Sequence, residues 1–273
     1  MIPGAMQPYS LTLDKFLDHA ARWHPHSQVV TAKEGGASDR TDYLALREQA
    51  KRVSAALADR GIGHGDVLES WYGIMGMGAI CHTLNPRLLP TQLASMLRQS
   101  GAQVLILSAD LHALASDVLA QDTAVEEVLL IDGDLTVGQM EAETRRVGTL
   151  SDATADASGD FEWGGFEENA PCGLCFTSGT TGSPKGVTYT HRGNYLHTLR
   201  QLQADVAGLT GEDCVLTMVP MFHANAWGLP FSVPAVGGKL VFPGRYADGA
   251  TLARLIVEEE VTIAVGVPTV WLG

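Results

Sequence analysis

The sequence contains few cationic residues and no long uninterrupted apolar segment. Lys and Arg number 18 against 31 Asp and Glu, which gives a formal net charge of −13. This charge disfavours binding to nucleic acids, whose phosphates attract clusters of Lys and Arg, and the chain has no such cluster. No segment approaches the roughly 18 consecutive apolar residues of a membrane helix. We therefore expect neither nucleic-acid binding nor a transmembrane segment.

Cysteine is also scarce, with four residues in a chain of 273. This number indicates reduced thiols and not a disulfide framework. The first 16 residues lack the basic region and apolar core of a secretory signal. Both observations predict a cytoplasmic protein.

Cys172 and Cys175 have the C-x-x-C spacing of redox pairs and zinc sites. They lie in an apolar run typical of a strand, in which residues three apart point to opposite faces. Sulfur atoms on opposite faces can neither pair nor share a metal, and a zinc site would need a second pair of ligands. We interpret both cysteines as buried structural residues.

Helical and strand periodicities alternate along the chain. Amphipathic helices are predicted at 12–23 and 42–60, and a third helix begins at Pro90 and ends at Gly101. Buried strands, most of them separated by helices, are predicted at 103–108, 128–131, 172–176, 214–219, 239–242 and 262–267. This alternation indicates an α/β fold of parallel-rich sheets with helices on both faces.

The periodicity fails between residues 144 and 171, which are rich in Gly, Ala, Ser, Asp and Glu. We interpret 144–171 as an acidic connecting segment on the surface. It would separate a first α/β subdomain, 1–143, from a second, 172–273. Because the chain stops where a helix begins, we expect the second subdomain to be truncated.

A loop rich in Gly, Ser and Thr follows the predicted strand 172–176 and ends at Lys185. Its glycines let main-chain N–H groups approach a ligand closely, and its hydroxyls add further hydrogen-bond donors. Such donors beside one cation suit a polyphosphate. The loop is not a Walker A loop, because no Ser or Thr follows the lysine. Its position between two strongly apolar elements argues against a flexible linker.

The segment FTSGTTGSPKGV, residues 176–187, followed by Thr190-His191-Arg192, resembles the signature of the acyl-adenylate-forming enzymes. The resemblance extends over most of the chain. It is strongest to the medium- and long-chain fatty-acyl-CoA synthetases, through MGMG at 75–78, HTLNPR at 82–87 and VPMFHANAWG at 219–228. It implies the N-terminal large domain of that fold, with the small C-terminal domain absent.

The resemblance implies a fatty acid:CoA ligase. Such an enzyme uses ATP and Mg²⁺ to convert a carboxylic acid into an acyl-adenylate and pyrophosphate, and then forms the thioester with CoA. Its partners would be the small molecules fatty acid, ATP and CoA, and it would form a homodimer. Delivery of the acyl group to a carrier protein and a non-catalytic nucleotide-binding homologue are alternatives. The sequence fixes neither the acyl chain length nor the acceptor.

The resemblance also implies roles for individual residues. The residues expected to bind the nucleotide phosphates are Thr177, Ser178, Gly179, Thr180, Thr181, Gly182 and Lys185. Thr177 would also contact magnesium. His223 and Lys185 are the expected catalytic residues. His223 and Trp227 would contact the acid. Trp227 would also close an acyl tunnel until ATP binds. Without the motif, His223 would be interpreted as a structural histidine and Trp227 as a core aromatic residue.

Two departures from the family pattern stand out. Members normally have a strand and the start of a helix where this sequence passes almost directly from Asp66 to Glu69. We expect missing residues there, because loss of a strand would expose apolar surface. The later motifs, which stack adenine, bind ribose and supply the adenylation lysine, are absent. We therefore expect this chain alone to bind ATP weakly and to catalyse little.

Overall fold

The computed structural model describes residues 9–60, 68–132, 145–177 and 184–271. The helices are α1 (Asp14–Trp23), α2 (Tyr43–Ala58), α3 (Leu68–Gly76), α4 (Pro90–Ser100), α5 (His112–Leu119), α6 (Leu150–Ala155), α7 (His191–Gln201), α8 (Leu229–Val236), α9 (Gly249–Glu258) and α10 (Pro268–Trp271). The strands are β1 (Gln28–Ala32), β2 (Ser38–Asp42), β3 (Cys81–Thr83), β4 (Val104–Leu107), β5 (Glu127–Leu130), β6 (Arg146–Thr149), β7 (Pro171–Thr177), β8 (Lys185–Thr190), β9 (Cys214–Thr217), β10 (Lys239–Phe242) and β11 (Ile263–Val265).

Local sequence signals explain where the helices begin and end. The side chain of Asp42 caps α2 by accepting a hydrogen bond from the backbone N–H of Ala45 at 2.9 Å. Pro90 occupies the first turn of α4, and Gly101 ends it in the left-handed conformation with φ of 66°. Within the described ranges, no helix is both long enough and apolar enough to cross a membrane.

The strands form three sheets. Sheet A has the order β11-β9-β10-β1-β2, sheet B the order β3-β7-β8 and sheet C the order β4-β5-β6. The pairs are parallel except for β1 with β2 and β7 with β8. The predicted α/β fold with parallel-rich sheets is confirmed.

Two of the sheets combine strands from both sides of the predicted connecting segment. In sheet A, Val29 of β1 pairs with Leu240 of β10, and in sheet B, Cys81 of β3 pairs with Gly173 of β7. The sheets therefore do not follow the predicted division into 1–143 and 172–273. Hydrophobic periodicity indicates that a strand is buried, but it does not indicate which distant strand lies beside it.

The interpretation of 144–171 as an irregular surface connection is wrong for residues 146–155, which form β6 and α6. Strand β6 pairs in parallel with β5, and α6 follows it. Further along, the indole of Trp163 is 9% exposed and donates a hydrogen bond to Ser54 Oγ at 2.8 Å. A strand of four residues, a helix of six and one aromatic residue carry too little periodicity to be detected in the sequence.

The largest core cluster contains the buried aromatic residues of α2, α3 and α8. The ring of Trp71 stacks on that of Phe231, with 5.4 Å between the ring centroids. The hydroxyl of Tyr43 donates to the carbonyl of Gly238 at 2.6 Å, and that of Tyr72 to the carbonyl of Pro230 at 2.8 Å. These hydrogen bonds satisfy the polar ends of both buried tyrosines. The expected missing segment near 67 falls mostly on residues 61–67, outside the described residues.

Candidate active site

The base of the Gly/Ser/Thr-rich loop is an antiparallel hairpin of β7 and β8. Thr177, the last residue of β7, is the register partner of Lys185, the first residue of β8. The hydroxyl of Thr177 lies 3.5 Å from the carbonyl oxygen of Lys185, and both side chains are exposed. The structure therefore brings the predicted metal contact and the predicted phosphate-binding lysine together.

The other predicted phosphate-binding residues lie outside the described part of the chain. They are Ser178, Gly179, Thr180, Thr181 and Gly182. Their contact with phosphate stays a prediction, and it rests on the sequence of the loop.

The two cysteines of β7 are buried and contact different elements. Asn194 of α7 donates a hydrogen bond to the sulfur of Cys172 at 3.4 Å, whereas the thiol of Cys175 donates to Asn225 Oδ1 at 3.5 Å. Burial raises the pKa of the Cys172 thiol to about 12, so this thiol is protonated near neutral pH. Among the described residues, no group of three His, Cys, Asp or Glu side chains could hold a metal. The burial of both cysteines and their hydrogen bonds to Asn194 and Asn225 agree with a structural role.

His223 and Trp227 lie in the segment that follows the carboxyl end of β9, where open α/β sheets place ligands. His223 is exposed, and its backbone N–H donates to the carbonyl of Pro220 at 3.0 Å. The next four residues, 224–227, all have positive φ, between 46° and 55°, and Gly228 continues the run at 77°. Non-glycine residues rarely adopt this conformation, so the turn that presents Trp227 is strained.

Three contacts hold this left-handed turn in place. Asn225, 3% exposed, accepts the hydrogen bond from Cys175 of β7. The amide nitrogen of Gln201 donates to the carbonyl of Trp227 at 2.6 Å. Gly228 lies against His197, since a Cβ at Gly228 would come within 2.9 Å of the imidazole. The turn is thus held against α7 and against β7, the strand that ends at Thr177 at the base of the loop.

A cavity of about 370 Å³ lies between α7 and the left-handed turn. Its described lining consists of Tyr189, Asn194, His197, Gln201, Val206, Ala224, Asn225, Trp227 and Gly228. Trp227, 40% exposed, is therefore part of its wall, and its contact with the acid stays a prediction. His223 is not among these lining residues.

Sequence reasoning missed the polar residues of α7 that line this cavity. Asn194, His197 and Gln201 follow one another at intervals of three and four residues, so they share one face of the helix. A polar stripe on the helix directly after a phosphate-loop hairpin is the sequence signal that could have revealed them.

The Thr190-His191-Arg192 part of the motif anchors α7. The hydroxyl of Thr190 caps the helix by accepting from the N–H of Gly193 at 3.0 Å. Burial lowers the pKa of His191 to about 4, and its Nδ1 accepts a hydrogen bond from the N–H of Leu13 at 3.3 Å. His191 is thus a neutral structural residue at pH 7, and Arg192 pairs with Glu168.

Comparison with known sequences finds relatives that match nearly the whole chain. The family model described as "AMP-binding enzyme" matches residues 17–273. The chain is 34% identical over 283 residues to a medium-chain-fatty-acid–CoA ligase of Ectopseudomonas oleovorans. It is 36% identical to a 3-methylmercaptopropionyl-CoA ligase of Ruegeria lacuscaerulensis and to a long-chain-fatty-acid–CoA ligase of Thermus thermophilus. Each match covers 99% of this chain and 50–52% of the relative, so the chain spans about half the length of these relatives.

Solved structures show the same fold. A long-chain-fatty-acid–CoA ligase from Archaeoglobus fulgidus superimposes with a TM-score of 0.81 at 23% identity, covering 97% of this chain and 53% of that one. An anthranilate CoA ligase in complex with anthranoyl-AMP gives a TM-score of 0.82 at 21% identity, with coverage of 97% and 51%. On the sequence match across 17–273 and the identity to these relatives, the chain belongs to the AMP-binding enzyme family.

Proposed function

We propose that this chain forms part of an ATP-dependent acid–CoA ligase that activates a fatty acid of medium or long chain. The observation that carries the proposal is the pairing of Thr177 and Lys185 at the base of the loop, beside the segment of His223 and Trp227. The names of the medium- and long-chain relatives support a fatty acid as substrate. Since the chain spans about half of those relatives, the activity is proposed for the whole protein.

The residues at the loop base fit a nucleotide polyphosphate with its magnesium ion. Lys185 presents an exposed ammonium group, which attracts phosphate oxygens. Thr177 presents an exposed hydroxyl, an oxygen ligand of the kind that Mg²⁺ takes together with phosphates and water. When bound, Mg²⁺ would supply positive charge that neutralises the phosphates.

The proposed reaction has two steps. A carboxylate oxygen of the acid attacks the α-phosphorus of ATP, and the bond to the pyrophosphate oxygen breaks. Lys185 stabilises the negative charge on the departing pyrophosphate, and His223 positions the carboxylate. The sulfur of CoA then attacks the acyl carbon, and AMP leaves. The cavity behind Trp227 holds the acyl chain.

The experiment that tests the proposal is acid-dependent exchange of labelled pyrophosphate into ATP. Acids from acetate to palmitate are compared on this chain and on the same chain extended to its natural stop codon. We expect exchange from the extended chain, with the greatest rate for a medium or long fatty acid. If neither protein exchanges pyrophosphate with any acid, a non-catalytic nucleotide-binding role replaces the proposed activity.

We also propose a cellular location for the reaction and an oligomeric state for the protein. We place the reaction in the cytoplasm, where ATP and CoA are both available. We further propose a homodimer, which light scattering on the extended chain would test; a monomer would contradict it.

A further inference from the structure

The segment that precedes α1 is fastened to the region around the start of α7 by two backbone donors. We call this segment, residues 9–13, the N-terminal strap. The N–H of Leu11 donates to a carboxylate oxygen of Glu168 at 2.8 Å, and the N–H of Leu13 donates to Nδ1 of His191 at 3.3 Å. Both acceptors are side chains that take up a proton in acid, so the strap is held by groups whose hydrogen bonding depends on pH.

The imidazole of His191 holds the strap only in its neutral form. Because Nδ1 accepts from Leu13, the proton of the neutral ring lies on Nε2. The ring is fully buried and lies against Phe166, with 4.7 Å between the ring centroids, and its Nε2 has no hydrogen-bond partner among the described residues. A second proton, on Nδ1, would set one N–H against another and would bury a charge beside an aromatic ring. Both effects are unfavourable.

The surrounding charges make His191 the sensitive acceptor of the two. Burial and the like charge of Lys15 in α1 lower the pKa of His191 to about 4. The hydrogen bonds from Leu11 and Arg192 lower the pKa of Glu168 below its ordinary 4.5, so this carboxylate keeps its bond to the strap in weak acid. As the pH falls below neutrality, the bond from Leu13 is therefore the one that changes.

We propose that His191 is an acid-sensitive switch, which holds the N-terminal strap at neutral pH and releases it on protonation. The proposal goes beyond the acid–CoA ligase reaction, because no ligand takes part in the switch. Helix α7 begins at His191 and also lines the cavity beside Trp227. Release of the strap thus removes one anchor of a helix that forms part of the cavity wall.

The direction of the pH effect follows from the two states of His191. With the strap released, the imidazole regains its ordinary pKa of about 6.5, whereas its pKa is about 4 with the strap bound. The strap is therefore held fully above pH 6.5, and the hold is lost as the pH falls from 6.5 towards 4. Asp14, next to Leu13, acts in the opposite direction, because burial raises its pKa and its protonation in acid favours the fold.

The test is amide hydrogen exchange at Leu13, followed by NMR at pH 7 and pH 5 and corrected for the intrinsic effect of pH on exchange. We expect the protection of this amide to fall by roughly 20-fold, the ratio given by pKa values of 6.5 and about 4. His191→Asn keeps an acceptor near the position of Nδ1 but does not titrate, so there the change should be less than about twofold. The matched control is His26→Asn, because the side chain of His26 is 84% exposed, and the fall should equal that of the wild type.

Unchanged protection of Leu13 in the wild-type chain between pH 7 and pH 5 would overturn the proposal. An equal fall in His191→Asn would overturn it too, since another group would then be responsible. The wild-type measurement needs no variant, so poor folding of His191→Asn would leave that part of the test intact. No acid or nucleotide is added, so the result does not depend on whether the ligase activity is found.

Discussion

The thiol of Cys175 in β7 donates a hydrogen bond to the side chain of Asn225 at 3.5 Å. This contact joins sheet B, which carries the phosphate-loop hairpin, to the segment that follows β9 of sheet A. The left-handed turn with Trp227 is thereby held two residues along β7 from Thr177. A change at the turn and a change at the loop base should therefore both affect ligand binding.

Lys185→Ala should weaken the binding of MgATP. The variant removes an exposed cation from the loop base, and charge-assisted hydrogen bonds to phosphate of this kind contribute about 1.5–3 kcal/mol, or roughly a 10- to 100-fold change in Kd. Titration calorimetry on the extended chain measures the effect. Lys33→Ala is the control, because the side chain of Lys33 is half exposed but pairs with Asp39 at 2.7 Å. Equal losses in the two variants would argue against a phosphate contact at Lys185.

Trp227→Ala should change the access of the acid to the cavity. If the indole closes the cavity until ATP binds, its removal should raise acid affinity in the absence of nucleotide by about fivefold, equivalent to roughly 1 kcal/mol. Acid binding with and without ATP is compared by calorimetry. Trp271→Ala serves as the control, since Trp271 is 47% exposed and outside the cavity lining. Unchanged acid affinity and unchanged dependence on ATP would refute the gate.

Ala224→Gly should stabilise the protein. Ala224 has φ of 46°, where a Cβ costs energy that glycine avoids. We expect the free energy of unfolding to rise by about 0.5–1 kcal/mol. Ala55→Gly, the same substitution within helix α2, should lower the free energy of unfolding by about 1 kcal/mol. Urea unfolding of the two variants checks the opposite signs, and a loss of stability at both positions would mean that the turn is not strained.

Glu259→Gln should destabilise the protein at neutral pH and much less in acid. The hydrogen bonds from Arg40, together with Lys239, lower the pKa of Glu259 from 4.5 to about 2. The carboxylate therefore stabilises the fold above pH 4.5, and this contribution is lost as the pH falls from 4.5 towards 2. We expect Glu259→Gln to lower the free energy of unfolding by about 2–3 kcal/mol at pH 7.

The control for the Glu259→Gln prediction is the neighbouring residue, Glu258. Glu258 forms an exposed pair with Arg254 at 2.6 Å, so Glu258→Gln should change the free energy of unfolding by less than about 0.5 kcal/mol. Urea unfolding from pH 3 to pH 7 measures both variants. A loss in Glu259→Gln that stays constant over this range would contradict the assigned pKa.

Gly76→Ala should destabilise the protein through Trp163. A Cβ at Gly76 would lie 2.6 Å from the indole ring, so the ring would have to move from its buried position. Overpacking of this kind costs about 1–3 kcal/mol. Gly148→Ala is the control, because its Cβ would lie 3.8 Å from Leu129, an ordinary contact. Thermal unfolding measures both variants. Equal unfolding temperatures for Gly76→Ala and Gly148→Ala would show that Trp163 does not pack on Gly76.

Much of the secondary structure was predictable because it depends on local signals. The amphipathic face of α2, the proline and glycine at the ends of α4 and the apolar run of β7 each lie within one short stretch of sequence. The segment 144–171 was not predictable in the same way. The burial of Trp163 depends on Ser54 and Gly76, which are 109 and 87 positions away in the chain.

The sequence by itself determined the alternation of helices and strands, the loop that ends at Lys185 and the position of the segment with His223 and Trp227. Tertiary structure alone decided that β1 lies beside β10, that residues 224–227 adopt positive φ and that Gln201 and Asn225 belong to the lining of one cavity. The reason is physical. Periodicity and capping act over a few residues, whereas strand pairing, backbone strain and unpaired buried amides arise from contacts between segments that are distant in the chain.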